Sequence, residues 1–100
     1  MVYVQLDKST REGKKYMAIF YDENRKKIKT VHFGAQGYQD YTTLAGDDDE
    51  RKEAYLFRHG KENWDNYMTP ASLSRWVLWN YKSKSKSYND YLRRFNLQKY

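Results

Sequence analysis

Only two side chains in this sequence exchange protons readily near neutral pH, His32 and His59, and His59 has the more suggestive neighbours. Tyr55, Arg58 and His59 fall on the same or adjoining turns of one helical segment, and Asn63 and Trp64 follow closely. In that arrangement Arg58 can hold an anion while His59 gives or takes a proton. No carboxylate at helical spacing stands ready to fix the imidazole tautomer, other than Asp and Glu residues across a loop. The same cluster serves equally well to cap a helix. Upstream, residues 33–38 read F-G-A-Q-G-Y. Glycines three apart let backbone N–H groups turn inward as an anion-binding nest, the device that cradles phosphate in other proteins. Here no G-K-[ST] follows and no helix begins at once, which excludes a Walker loop and leaves a plain turn as the competing reading. A ligand loop, if present, consists of Gly34, Gly37, Arg58 and His59, where the loop after the third strand meets the first helix.

Other chemistries have less to work with. Cysteine is absent, so disulfides, thiolate zinc sites, redox pairs and cysteine nucleophiles are all excluded. Ser72 and Ser74 lack a surrounding G-x-S-x-G elbow. The separation of His32 from His59 matches no metal-ligand pattern. No catalytic residue, metal site or cofactor is therefore assigned.

The last third offers binding instead of catalysis. Arg75, Lys82, Lys84, Lys86, Arg93, Arg94 and Lys99 are interleaved there with Trp76, Trp79, Tyr81, Tyr88 and Tyr91. Cations that neutralise phosphates beside rings that stack on bases form the general footprint of nucleic-acid binding. The competing reading is a solvated basic face around buried rings.

These residues need a scaffold, and its outline is legible. Val2, Val4 and Leu6 alternate with Tyr3, Gln5 and Asp7, the period of a half-buried strand. Residues 8–14 are a polar turn, and residues 15–21 are apolar on both faces, as in a central strand. A charged hairpin loop over 22–27, with Asn24 suited to the left-handed conformation, leads to a third strand over 28–33. Asp47, Asp48 and Asp49 then offer first-turn acids for a helix that Gly60 stops. Thr69-Pro70 starts a second helix carrying Leu73, Trp76, Val77 and Tyr81 on one stripe. Residues 82–86, K-S-K-S-K, read as a linker. Ser87 with Asp90 resembles a capping box that opens a third helix bearing Tyr88, Tyr91, Leu92 and Phe95. The expected fold is α+β in a single domain: a three-stranded antiparallel meander over 1–34, a loop over 35–47, and three helices over 48–97. The helix with Leu73, Trp76 and Val77 should cover a sheet face.

At 100 residues the chain has room for one core. Leu, Ile, Val and Phe make up only 17 residues, but 18 Phe, Trp and Tyr supply the apolar area that a disordered chain lacks. Charge is unevenly spread. Net charge is +3 over residues 1–46, −3 over 47–66 and +6 over 67–100. No run approaches the ~20 apolar residues of a membrane span, and the first residues lack a signal-peptide layout, so an intracellular protein is expected.

The strings KKYMAIFYDENRKKIKTVHFGAQGYQDYT, RKEAYLFRH, ENW, LSRWVLWN and YLRRFNL together resemble a family of small uncharacterised proteins. Large DNA viruses of algae and protists, and some marine phages, encode them. The similarity runs over residues 14–97. It implies a viral source, and action in the cytoplasm or nucleus of an infected host cell or within the virion. It implies no activity. The function expected is a non-enzymatic viral accessory protein that binds nucleic acid through Arg75, Lys82, Lys84, Lys86, Arg93 and Arg94, mainly by phosphate contacts. The alternative is a minor virion component or protein–protein module with a viral or host partner, for which the surplus of Tyr and Trp argues. A small enzyme with a site near Arg58 and His59 is the third reading.

Overall fold

Strand β1 (Tyr3–Lys8) alternates as its sequence does, with Val4 enclosed and its neighbours Tyr3 and Gln5 turned to the opposite face. The computed structural model, which describes residues 1–44 and 49–100, pairs β1 antiparallel with β2 (Lys14–Tyr21), and β2 antiparallel with β3 (Lys27–Ala35). The register sets Val4 against Phe20, Ala18 against Val31 and Tyr16 against Phe33. One face of the sheet is thereby closed over by the helices. The other, with Met17, Ile19 and Tyr21, stays half-buried.

The hairpin between β2 and β3 differs from expectation in one residue. Arg25, not Asn24, takes the left-handed conformation, at φ 63°. Asp22 dictates this, because its side chain accepts from the N–H groups of both Asn24 and Lys26, at 2.9 and 3.0 Å. The turn aims the Arg25 guanidinium over the rings of Tyr3 and Tyr100.

The sheet has a fourth strand that the expected meander lacked. Strand β4 (Gln98–Lys99) lies parallel to β1 at the sheet edge, so the order is β3-β2-β1-β4 and the sheet is mixed. Its cause lies just upstream. Asn96 adopts φ 55°, and the N–H of Leu97 returns to the carbonyl of Leu92 at 2.8 Å, a Schellman turn that stops the preceding helix and throws the chain back along β1. Two residues are too few to leave a period in a sequence.

Among the described residues three helices lie between β3 and β4. Helix α1 (Asp49–Arg58) has Asp49 and Glu50 in its first turn, while Asp47 and Asp48, expected to share that role, lie outside the described residues. Helix α2 (Pro70–Leu73) starts where expected, with the Thr69 hydroxyl accepting from Ser72 N–H. It then widens into a π-helical turn, Ser74–Leu78, closed by Trp79 N–H on the Ser74 carbonyl at 3.0 Å. The helix therefore ends short of Tyr81. The wider turn lets Val77 and Leu78 join Leu73 in the core, and Arg75 and Lys52 bond the freed carbonyls of Trp79 and Asn80. Helix α3 (Lys84–Arg94) begins earlier than expected. Its N-cap is Ser83, accepting from Lys86 N–H, so most of the supposed linker is helix. Ser87 is enclosed, and its hydroxyl accepts from Tyr81 N–H and donates to Tyr81 carbonyl.

The core is shared by rings and aliphatic chains. Phe20, Phe33 and Tyr91 are packed with Val4, Leu73, Val77 and Leu78, and burying each such side chain contributes roughly 1.5–3 kcal/mol. Tyr91 also donates its hydroxyl to the Tyr67 carbonyl at 2.6 Å, which satisfies the one polar atom that ring carries inward.

Candidate functional site

The ends of β2 and β3, the end of α1 and the π-helical turn leave a cleft of about 610 Å³ between them. Gly34, Arg58 and His59 all line it, so three residues of the sequence-derived cluster share one cavity. The backbone explains the approach. Gly34 has φ 79°, and a Cβ placed there would stand 3.0 Å from Leu78 and 3.2 Å from the Lys15 Cβ. Only glycine lets the end of β3 lie this close to the π-helical turn. Gly37 also has positive φ, yet it does not line the cleft and has open space around it. It is a turn glycine.

His59 follows the last residue of α1, with its N–H still bonded to the Tyr55 carbonyl at 3.0 Å. Its Nδ1 lies 2.8 and 3.1 Å from the two carboxylate oxygens of Glu62. The carboxylate missing from helical spacing is supplied by the turn after Gly60. The imidazole also rests on the Tyr55 ring, 4.4 Å between centroids, and Tyr55 is stacked on Trp79 at 4.5 Å and 4°. A column of three rings thus fixes the imidazole plane. Burial, with the charge of Glu62 nearby, pushes the Tyr55 hydroxyl well above its ordinary pKa, so it remains protonated.

The charges in the cleft divide into committed and free. Asp40, almost fully enclosed, takes Lys15 Nζ at 2.7 Å and the Thr42 N–H at 2.9 Å. Glu62 is held by His59. Lys14 and Arg58 have no carboxylate partner among the described residues. Both carboxylates are therefore occupied while two cations face the cavity. Among the described residues no three His, Asp or Glu side chains converge to hold a metal ion. His32 is far from this arrangement in role, bonded through Nδ1 to the Ser9 hydroxyl at 2.7 Å. Asn63 accepts from Asp65 N–H, and the Trp64 ring packs under Arg75, so neither completes the cluster.

The basic residues of the last third have other occupations. Arg75 is half-buried between Trp64 and Trp76, and burial, together with Arg94, lowers its pKa against the opposing pull of Tyr55 and Asp90. Lys82 bonds the Leu44 carbonyl at 2.6 Å and sits over Tyr41. Lys84 reaches the Tyr16 hydroxyl, Lys86 sits over Tyr81, and Arg94 lies 3.7 Å above Trp76. Arg93 and Arg94 share Asp90. The alternation of cations and rings is thus largely an internal set of cation–π contacts. Lys84, Lys86, Arg93 and Arg94 nevertheless remain exposed.

Sequence reasoning overlooked Lys14, Lys15, Asp40 and Glu62, and the tertiary fold alone brings the first three to the helix end. Glu62 left a signal, three residues after His59, masked by the Gly60 stop. No helix among the described residues is long and apolar enough to cross a membrane. Residues 4–59 match the model of a family of unknown function (DUF5754), a span that runs from β1 to His59 and stops before the basic last third. No curated protein and no solved structure matches the chain.

Proposed function

The chain belongs to that family of unknown function, DUF5754, and from the chemistry of its cleft we propose that it binds a small phosphate-bearing ligand there. One observation carries the reading: in a cavity whose two carboxylates are already paired, Lys14 and Arg58 have no carboxylate partner among the described residues. A cavity of this volume lies within the roughly 300–1,000 Å³ typical of small-ligand sites. Arg58 offers a planar fork suited to two phosphate oxygens, and Lys14 a second point charge. The Trp79–Tyr55–His59 ring column gives the ligand's organic part an apolar wall. Lys14, Asp40, Tyr55, Arg58 and His59 lie within the span matched by the family, and Glu62 and Trp79 lie beyond it. Calorimetric titration with pyrophosphate tests it. Binding that weakens about tenfold or more in Arg58→Ala, the loss of one charge-assisted contact, is expected. Absence of heat at millimolar ligand would overturn it.

A second reading is nucleic-acid binding through the face of α3, within a viral accessory protein acting in an infected cell. The observation favouring it is that Lys86 and Arg93, seven residues apart and hence on one side of α3, are exposed, with the Arg93 side chain at 78%. Internal contacts of Lys82 and Arg75 reduce its footprint. Titration with single- and double-stranded DNA and RNA at about 50 mM salt decides it. The Lys86→Ser/Arg93→Ser double variant should flatten the salt slope by up to about 2 units, and no binding at all ends this reading.

A further inference from the structure

We propose that the cleft is a hydrolytic site for phosphodiesters, with His59 as the proton-transfer group, Arg58 and Lys14 as the phosphate clamp and Glu62 as a positioning residue. The inference rests on the reading that the cleft binds phosphate. Its basis is the state in which the fold holds His59. Both Glu62 oxygens lie within hydrogen-bond distance of Nδ1, so the carboxylate accepts from an Nδ1–H. Whenever the ring is neutral, this contact holds it in the Nδ1–H tautomer and leaves Nε2 as its basic site. The Tyr55 ring, itself backed by Trp79, sets the plane of the imidazole. Fixed tautomer and fixed plane are what a general base needs, because proton transfer depends on a donor–acceptor line held within a narrow range. A histidine that merely capped α1 would need neither, and this one lines a cavity with two cations that have no carboxylate partner among the described residues.

The chemistry balances with water as the only co-reactant. Nε2 takes a proton from a water molecule, and the water oxygen forms a bond to phosphorus on the side opposite the leaving group. The bond from phosphorus to one ester oxygen breaks with its electron pair. That oxygen departs as the alkoxide or phenolate and takes any proton it needs from solvent water, and the imidazolium returns its proton to solvent, leaving a phosphomonoester and a neutral His59. Arg58 and Lys14 offset the charge that builds on the non-bridging oxygens, and Glu62 stabilises the imidazolium formed midway.

The experiment uses the whole chain with bis(4-nitrophenyl) phosphate as the substrate and inorganic phosphate as the binding probe. Wild type should release nitrophenolate. His59→Ala should lose about 100-fold or more of turnover, the usual contribution of a general base. Glu62→Gln should lower kcat with KM little changed, and Glu62→Asp should restore part of the loss, which a purely structural ion pair would not do. Wild type that binds phosphate but releases no nitrophenolate overturns this inference and leaves the binding reading standing. Turnover that survives His59→Ala overturns it as well. Wild type that fails to bind phosphate overturns the binding reading itself.

Discussion

Glu62 accepts from His59 Nδ1 across the turn that ends α1, with its two oxygens 2.8 and 3.1 Å from that nitrogen. The pair stands where the π-helical turn, the end of β3 and the end of α1 meet, and it explains why His59 is held in one orientation. The turn over residues 59–62, which follows the last helical residue Arg58 and is closed by Glu62 N–H on the His59 carbonyl, does more than end the helix. It folds the chain back so that a residue three positions on can reach the imidazole.

The glycine that lets these elements meet should be intolerant of change. Gly34→Ala imposes a left-handed backbone on an L residue and forces its Cβ against Leu78 and Lys15. A cost of roughly 1–3 kcal/mol from the backbone alone is expected, with the close approach adding to it. Gly37→Ala has the same φ sign and open space, so it should show only the backbone part. Urea unfolding of both variants checks this, and equal costs would contradict the packing argument.

Much of this fold was legible in the sequence, and what was missed has a pattern. The strands β1 to β3 were readable because Val4, Leu6, Ala18, Phe20, Val31 and Phe33 carry the two-residue period that burial on one face demands. Thr69-Pro70 marked a helix start for a stereochemical reason and was correct. Ser83 was hidden because K-S-K-S-K looks like solvent-facing linker. Its capping hydroxyl differs from that of Ser85 or Ser87 only in what surrounds it after folding. Strand β4 and the pairing of Lys15 with Asp40 depend on contacts between distant parts of the chain, and no local pattern encodes those. In the candidate site, Arg58, His59 and Gly34 were found because helix spacing and glycine chemistry are local. Lys14 was not, since it enters the cavity from the opposite side of a hairpin.

The two serines of α3 separate its true start from the apparent one. Ser83→Ala removes an exposed cap and should cost about 1 kcal/mol. Ser87→Ala leaves the Tyr81 N–H and carbonyl without their enclosed partner, at a cost of about 1–3 kcal/mol. Thermal unfolding of the pair should rank Ser87→Ala as the more damaging.

Acid sensitivity should trace in part to Asp90. Burial pushes its carboxyl up, but hydrogen bonds from Asn80 and Arg93, with the charge and hydrogen bond of Arg94, outweigh this and hold it below the usual carboxylate range. A group whose pKa is lowered by folding contributes stability that is present above its unfolded value near 3.9 and lost as pH falls through the folded value. The gap in urea midpoint between wild type and Asp90→Asn should therefore be largest near neutral pH and shrink below about pH 4. A gap independent of pH would contradict this.

The ion pair of Lys15 with Asp40 should matter more when half broken than when removed. Lys15→Met leaves an enclosed carboxylate with only Thr42 and backbone contacts, and a loss of about 3–5 kcal/mol is expected. Adding Asp40→Asn should recover part of that loss. Denaturation of the single and double variants provides the comparison.

Phosphate binding in the cleft between β3, α1 and the π-helical turn is best checked by backbone amide spectra recorded during titration with inorganic phosphate. Saturable shifts at Lys14, Gly34, Ala35, Arg58 and His59 that fit one dissociation constant are expected, with that constant about tenfold or more weaker in Arg58→Ala. Shifts confined to the exposed cations of α3, or no saturable shift at the cleft residues, would contradict it.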